Sequence, residues 1–309
     1  MTGNTGNTGN TGNTGNTGNT GNSGGGGGWF FPDRVDYPFV TVPAPSINPD
    51  EPKRLSDKAY RFGHTADFTR DWTAPWKAWR VLAEFTSTDA WKNRQTSAKG
   101  KPAKDGLGLQ DWQARLKPTK AISIEARVNA EIDALILAAE TERADALGEI
   151  LSQDSSFIGD FFGLMGGSPS THPKTSAMMV SASMVAGMVV QHFKWLNNRR
   201  RPSQVCPALR PPIQVPGHAA YPSGHATQAF LIAHSLAAIF PKKSELGAGK
   251  AVQALAARIA RNREIAGLHY ASDTAAGIEL AGAIWRTLKD GNEFKVLSAN
   301  AMKEWEGVA

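Results

Sequence analysis

The chain reads as an all-α protein, a bundle of helices with few or no strands, and three observations carry that reading. Residues 122–152 repeat apolar side chains at three- and four-residue steps: Ile124, Val128, Ile132, Leu135, Ile136, Ala139, Leu147 and Ile150. Later apolar runs, at 177–190 and 226–240, are bounded by Pro and Gly rather than broken by alternation. The connecting segment 203–215 carries Pro207, Pro211 and Pro212 and shows no period-two pattern. Helical spacing with proline punctuation predicts helices joined by loops, the layering of an α bundle.

The first 28 of the 309 residues cannot contribute to a core. Thr2–Asn22 is a Thr-Gly-Asn triplet repeated seven times, followed by a Ser-Gly run, and no apolar side chain lies between Met1 and Trp29. Nothing there offsets the entropy of ordering a backbone, so 1–28 is expected to be a disordered tail. Residues 29–309 suit a single all-α domain, with 29–120 as arm and accessory helices and 121–309 as the bundle. The six prolines of 29–52 predict an extended Pro-rich arm.

Lys53–Gly63 is read as a short helix. Trp72, Trp76 and Trp79 fall on one helical face and are expected to pack in the core, although Pro75 could start the helix and leave Trp72 outside. Asn93–Gly108 is Lys- and Gly-rich and is expected to be an exposed loop. The helix over 122–152 carries Glu131, Glu140, Glu142 and Asp145 on its other face. None has a histidine at ligand spacing, so they read as a solvated face rather than a di-metal site.

Phe157–Met165 is a short helix stopped by Gly166. Pro173 opens a helix that runs to about Asn198, and Arg199-Arg200-Arg201-Pro202 stops it. Its most apolar part is about fourteen residues, shorter than the roughly 20 of a membrane span. With no basic and apolar leader at the N-terminus, a soluble protein is expected and its compartment is open. Helices are also expected over 226–240, 245–268, 270–288 and 292–305.

Charge and cysteine content narrow the chemistry. Lys and Arg exceed Asp and Glu by 34 to 28, a net charge of +6 that favours anionic ligands without indicating nucleic acid. The single Cys206 rules out an internal disulfide and a multi-cysteine zinc site.

Polar residues with odd spacing for a core occur in three places. Lys194 and Arg201 are seven apart, on one face if the helix persists that far. Pro222-Ser223-Gly224-His225 opens an apolar helix, where unpaired N–H groups favour an anion. Arg263 precedes His269 and Asp273, which stand four apart so that the carboxylate can orient the imidazole. Each has a bland reading on its own: a helix end for Lys194 to Arg201 (with Arg199 and Arg200 solvated), a cap for Ser223, a structural histidine for His269. Together, Lys194, Arg201 and Arg263 have too few carboxylates nearby in sequence, and a tetrahedral oxyanion would neutralise them.

Lys194-x6-Arg201-Pro202, Pro222-Ser-Gly-His225 and Arg263-x5-His269-x3-Asp273 resemble the three-part signature of the type 2 phosphatidic acid phosphatase superfamily. That superfamily includes acid phosphatases, lipid phosphatases and vanadium-dependent haloperoxidases. The blocks cover 194–273, about a quarter of the chain, and depart from the pattern at Asn262, where the family usually has Ser. The resemblance implies a helical bundle of the acid phosphatase/vanadium haloperoxidase type.

It also implies that Lys194, Arg201, Ser223, the Gly224 N–H and Arg263 hold phosphate or vanadate oxygens. His269 would be the nucleophile, or the metal ligand if vanadate is the cofactor. Asp273 would orient His269, and His225 would protonate the leaving alcohol. His218, seven residues before His225, would support the site from behind. A phosphatase of this kind needs no cofactor, whereas a haloperoxidase needs vanadate. The expected partners are accordingly a small phosphorylated substrate, or vanadate, peroxide and halide. Neither nucleic acid nor a membrane span is expected, and a homo-oligomer is left open. Twenty-one residues separate Arg201 from Ser223 and thirty-seven separate His225 from Arg263. Haloperoxidases of the family tend to carry longer insertions there, so the spacing favours the phosphatase.

Overall fold

A computed structural model describes residues 72–97, 106–240 and 247–306. The expectations for the 1–28 tail, the Pro-rich arm and the Lys53–Gly63 helix lie outside the described residues. Within them the fold is all-α. Its helices are α1 (Ala74–Ser87), α2 (Asp89–Lys92), α3 (Trp112–Arg115), α4 (Ile124–Thr141), α5 (Arg143–Ser155), α6 (Ile158–Met165), α7 (Pro173–Asn197), α8 (Pro202–Val205), α9 (Gly224–Ile239), α10 (Ala248–Ile265), α11 (Ala271–Leu288) and α12 (Asn292–Lys303).

The centre is α9, which packs against α7, α10 and α11, while α1 and α12 cover the outer side of α7. Of α9, Ala226, Ala229, Leu231, Ile232, Ala233 and Leu236 are fully buried, so the helix is apolar all round, as a central helix must be. α7 buries Ala177, Met178, Ala182, Val185, Ala186, Val189 and Phe193. It runs over the span expected from sequence and, although long and apolar enough to cross a bilayer, it is largely buried here as a core helix.

Local sequence accounts for most boundaries. Pro173 begins α7, and Asn198 ends it in the left-handed region at φ 40°. Gly166 closes α6 at φ 72°, where a Cβ would be strained. Ser223 caps α9, its hydroxyl accepting the Ala226 N–H. Asp273 accepts the Tyr270 N–H at 3.1 Å, which fixes the first turn of α11.

Four expectations are corrected. The 122–152 helix breaks at Glu142 into α4 and α5, because Arg143 turns inward to donate to the carbonyls of Leu209 and Ile265. Pro75 does start α1, but the face it buries is Ala78, Val81 and Phe85. Trp72, Trp76 and Trp79 are 47%, 37% and 46% exposed, so the indoles are not core. The 93–108 segment is not wholly an exposed loop. Gln95–Ser97 (β1) pairs in parallel with Gly108–Gln110 (β2), and Leu107 and Leu109 are buried. Finally, Arg201 is not on α7, since the helix ends at Asn197. An extended turn carries it back toward the face that Lys194 occupies.

Candidate active site

The three sequence blocks converge at one cavity of about 450 Å³ among α7, α9, α10 and the α10–α11 turn. Lys194, Arg201, His218, Gly224, His225, Arg263 and His269 line it, and Ser223 and Asp273 stand immediately behind. Its opposite wall is apolar, from Leu82 on α1, Met184 and Met188 on α7, and Leu268. Three cationic side chains face the cavity and, among the described residues, no carboxylate does.

Lys194 projects from the last turn of α7 and is 2% exposed. Its ammonium donates to the carbonyls of Ala219 (2.6 Å) and Ala220 (2.9 Å), which pins the loop entering α9. Burial and Arg201 lower its pKa well below the usual value, against the pull of Asp273. Arg201 is 1% exposed. It donates to the carbonyls of His218 (3.1 Å) and Leu268 (3.1 Å), and one Nη lies 3.3 Å from His269 Nε2. Burial brings it to about 10, so it remains charged at neutral pH.

Arg263, fully buried on α10, donates to the Ile150 carbonyl at 2.8 Å and stands 3.7 Å from Asp154. Its Nε and Nη1 are buried with no hydrogen-bond acceptor among the described residues. Such donors cost about 1–3 kcal/mol each unless something accepts from them. A tetrahedral oxyanion in the cavity is the chemistry that fits.

His269 is 4% exposed. Its Nδ1 lies 3.3 Å from Asp273 Oδ2, and a carboxylate can only accept, so Nδ1 carries the proton. Nε2 then presents its lone pair beside Arg201. Burial, then Arg201 and Lys194, hold the His269 pKa well below its usual value, which keeps the imidazole neutral. Asp273 is pushed up by burial and pulled back by Arg199, the Tyr270 N–H and Lys194.

His225 sits at the first turn of α9 with its ring against Phe157, centroids 5.2 Å apart. Its Nε2–H donates to the Gln153 carbonyl at 3.2 Å. Burial and Arg263 depress its pKa well below the usual value. His218 Nδ1 accepts from Arg201 at 3.0 Å, and burial with Lys194 and Arg201 lowers it to about 4. Its place behind Arg201 is thus a direct contact with the guanidinium.

Two residues read from sequence as solvated are built into the site. Arg199 is 3% exposed and bonds both Asp273 (2.7 Å) and Glu131 (2.8 Å), with its guanidinium 3.8 Å over the Tyr270 ring. Glu131 in turn accepts from the Ser272 N–H and hydroxyl. Nothing in the spacing of either residue betrays this, because the partners lie 74 and 68 positions away from Arg199. Asn262, where the motif departs, ties α10 to α5 through Glu149 and Gln153, both at 2.9 Å. It thereby braces the carbonyl that holds His225.

Residues 175–291 match the PAP2 superfamily, the family that the three blocks resemble. The matched segment contains every cavity-lining charged side chain and histidine, and it excludes α4, α5 and α6. The chain has no match among curated proteins.

Proposed function

From a chain whose residues 175–291 are a PAP2 superfamily segment, we propose a metal-independent phosphomonoester hydrolase that works through a phosphohistidine. The observation that carries the proposal is the meeting at one cavity of His269, its Nδ1 held by Asp273 and its Nε2 beside Arg201, with two buried Arg263 donors that make no hydrogen bond among the described residues.

In this reading the phosphoryl oxygens lie on Arg201, Arg263, the third Lys194 hydrogen and the Gly224 N–H, at the positive end of α9. Those donors stabilise the charge of the transferring group without a divalent cation. His269 Nε2 forms the bond to phosphorus as the ester P–O bond breaks. Asp273 holds the Nδ1 proton and offsets the positive charge that the imidazole gains. The departing alkoxide takes its proton from His225. Neutral His225 then removes a proton from water, which attacks the phosphoimidazole, releases inorganic phosphate and restores His269.

The test is hydrolysis of an aryl phosphate between acid and mildly alkaline pH, with orthovanadate as inhibitor. Turnover is expected, and His269→Ala should abolish it; no turnover by the unmodified chain at any pH in that range would sink the proposal. The same donors fit vanadate, another tetrahedral oxyanion, with His269 as its ligand. When bound it would supply oxidation of halide by hydrogen peroxide. Bromide oxidation by vanadate-loaded protein, assayed in parallel, separates the two readings.

A further inference from the structure

The His269–Asp273 pair does not end at the carboxylate. Asp273 Oδ2 faces His269 Nδ1 and the Tyr270 N–H, and Oδ1 accepts from Arg199 at 2.7 Å. The same Arg199 nitrogen donates to the Ser272 hydroxyl at 2.7 Å, and its other Nη reaches Glu131 on α4 at 2.8 Å. The guanidinium lies between the rings of Tyr270 and Trp112, 3.8 and 4.9 Å from their centroids. Carboxylate, guanidinium, carboxylate and imidazole thus form one chain, and its outer end, Glu131, lies outside the 175–291 segment.

We propose that Arg199, anchored by Glu131, is a positioning residue for His269. It holds Asp273 in the rotamer whose Oδ2 receives the His269 Nδ1–H. The catalytic unit therefore extends to α4. This rests on the phosphohistidine reading for its consequence in turnover, but its structural content is independent of that reading.

The physical reason is the cost of a buried carboxylate. Asp273 is fully buried, and an unpaired buried charge protonates rather than persists. The groups facing it are Arg199 from the turn after α7, Lys194 on α7, and Arg201, with His269 on its own turn. Burial, with a smaller push from Asp273, holds the phenols of Tyr221 and Tyr270 up at about 12, so both are neutral beside it. Among the described residues only Arg199 bonds it with a full charge, while Lys194 donates to the carbonyls of Ala219 and Ala220 and Arg201 to those of His218 and Leu268. Arg199 is therefore the side chain that fixes the Asp273 rotamer from behind. With Oδ1 released, Oδ2 can turn away from the Nδ1–H, and the His269 tautomer that exposes Nε2 is lost. Arg199 does not line the cavity, so its removal should not weaken phosphate binding to the same extent.

Imidazole ¹⁵N NMR of full-length protein tests this without any substrate. Wild type is expected to show His269 neutral with the proton on Nδ1 across the neutral range. In Arg199→Gln, which keeps one donor and removes the second arm, part of the Nδ1–H signal at neutral pH should move to the Nε2–H tautomer. Arg199→Lys should move less, in the same direction. Turnover gives the second reading. Arg199→Gln should lose about 10²-fold in kcat with KM changed less than about threefold.

A folded Arg199→Gln whose His269 tautomer equals wild type would overturn the proposal. So would a kcat loss that only tracks the folded fraction. Should Arg199→Gln not fold, Arg199→Lys decides by the same two criteria. If wild type hydrolyses no phosphate ester, the NMR outcome still judges the positioning role, while the phosphatase reading alone falls.

Discussion

At the scale of the residue, the site is a problem of charge. Lys194, Arg201 and Arg263 are each 2% exposed or less, yet their carboxylate partners are few, and two Arg263 nitrogens have no acceptor among the described residues. A lysine at 263 would keep the charge but not the fork. Arg263→Lys is therefore expected to reduce kcat/KM by about 10- to 100-fold, and to weaken product inhibition by phosphate in parallel. Unchanged phosphate inhibition would place Arg263 outside the anion site. The histidines add a pH dependence. In the proposed reaction His225 is protonated to release the alcohol, and burial with Arg263 lowers its pKa well below the usual value of 6.5. In the free enzyme its protonated fraction falls as pH rises, so kcat/KM should decline from acid toward neutral pH. His225→Asn should lose that slope together with most of the rate. The motif residues were legible in sequence because each type is dictated by oxyanion chemistry. Arg199 and Glu131 were not, since an arginine beside two others and a glutamate on a polar helix face look solvated until the chain folds.

At the scale of the element, α9 and α11 must meet closely for Ser223 and Asp273 to touch. The Ser223 N–H donates to the Asp273 carbonyl at 3.0 Å. Gly277 permits the approach: a Cβ there would lie 2.8 Å from the Ser223 carbonyl oxygen and 3.0 Å from the Ala226 Cβ, atoms of backbone and close-packed helix. Helix propensity alone would make Gly277→Ala stabilising by roughly 1 kcal/mol, but overpacking costs about 1–3 kcal/mol and should win. The variant is expected to melt at lower temperature, and to lose activity by displacing Ser223 and Gly224 from the cavity. Calorimetry paired with the aryl phosphate assay checks both. Helix ends at Pro173, Gly166 and Ser223 could be read from local chemistry. The break at Glu142 could not, because what turns the chain is the reach of Arg143 to carbonyls 66 and 122 positions away.

At the scale of the whole molecule, a cationic cavity at the meeting of α7, α9 and α10 links stability to pH and to anions. His218, His225 and His269 all have folded pKa values below the usual 6.5, that of His218 at about 4. Between those values the unfolded chain binds more protons than the folded one. Stability should therefore be present above about pH 6.5 and be lost as pH falls toward 4. Melting in a buffer free of phosphate is expected to follow that slope. Inorganic phosphate at 100 times its dissociation constant should add about 2.7 kcal/mol. A melting temperature indifferent to phosphate would contradict a built anion site.

By itself, the sequence determined the all-α class, most helix limits and the nine residues gathered at the cavity, since periodicity, caps and oxyanion chemistry are written in residue type and spacing. The tertiary structure alone decided that Arg199 and Glu131 belong behind Asp273 and that Arg201 reaches the site from a turn. It also decided that the tryptophans of α1 stay out of the core. Those outcomes depend on which distant groups are buried together, and burial is a property of the packed chain.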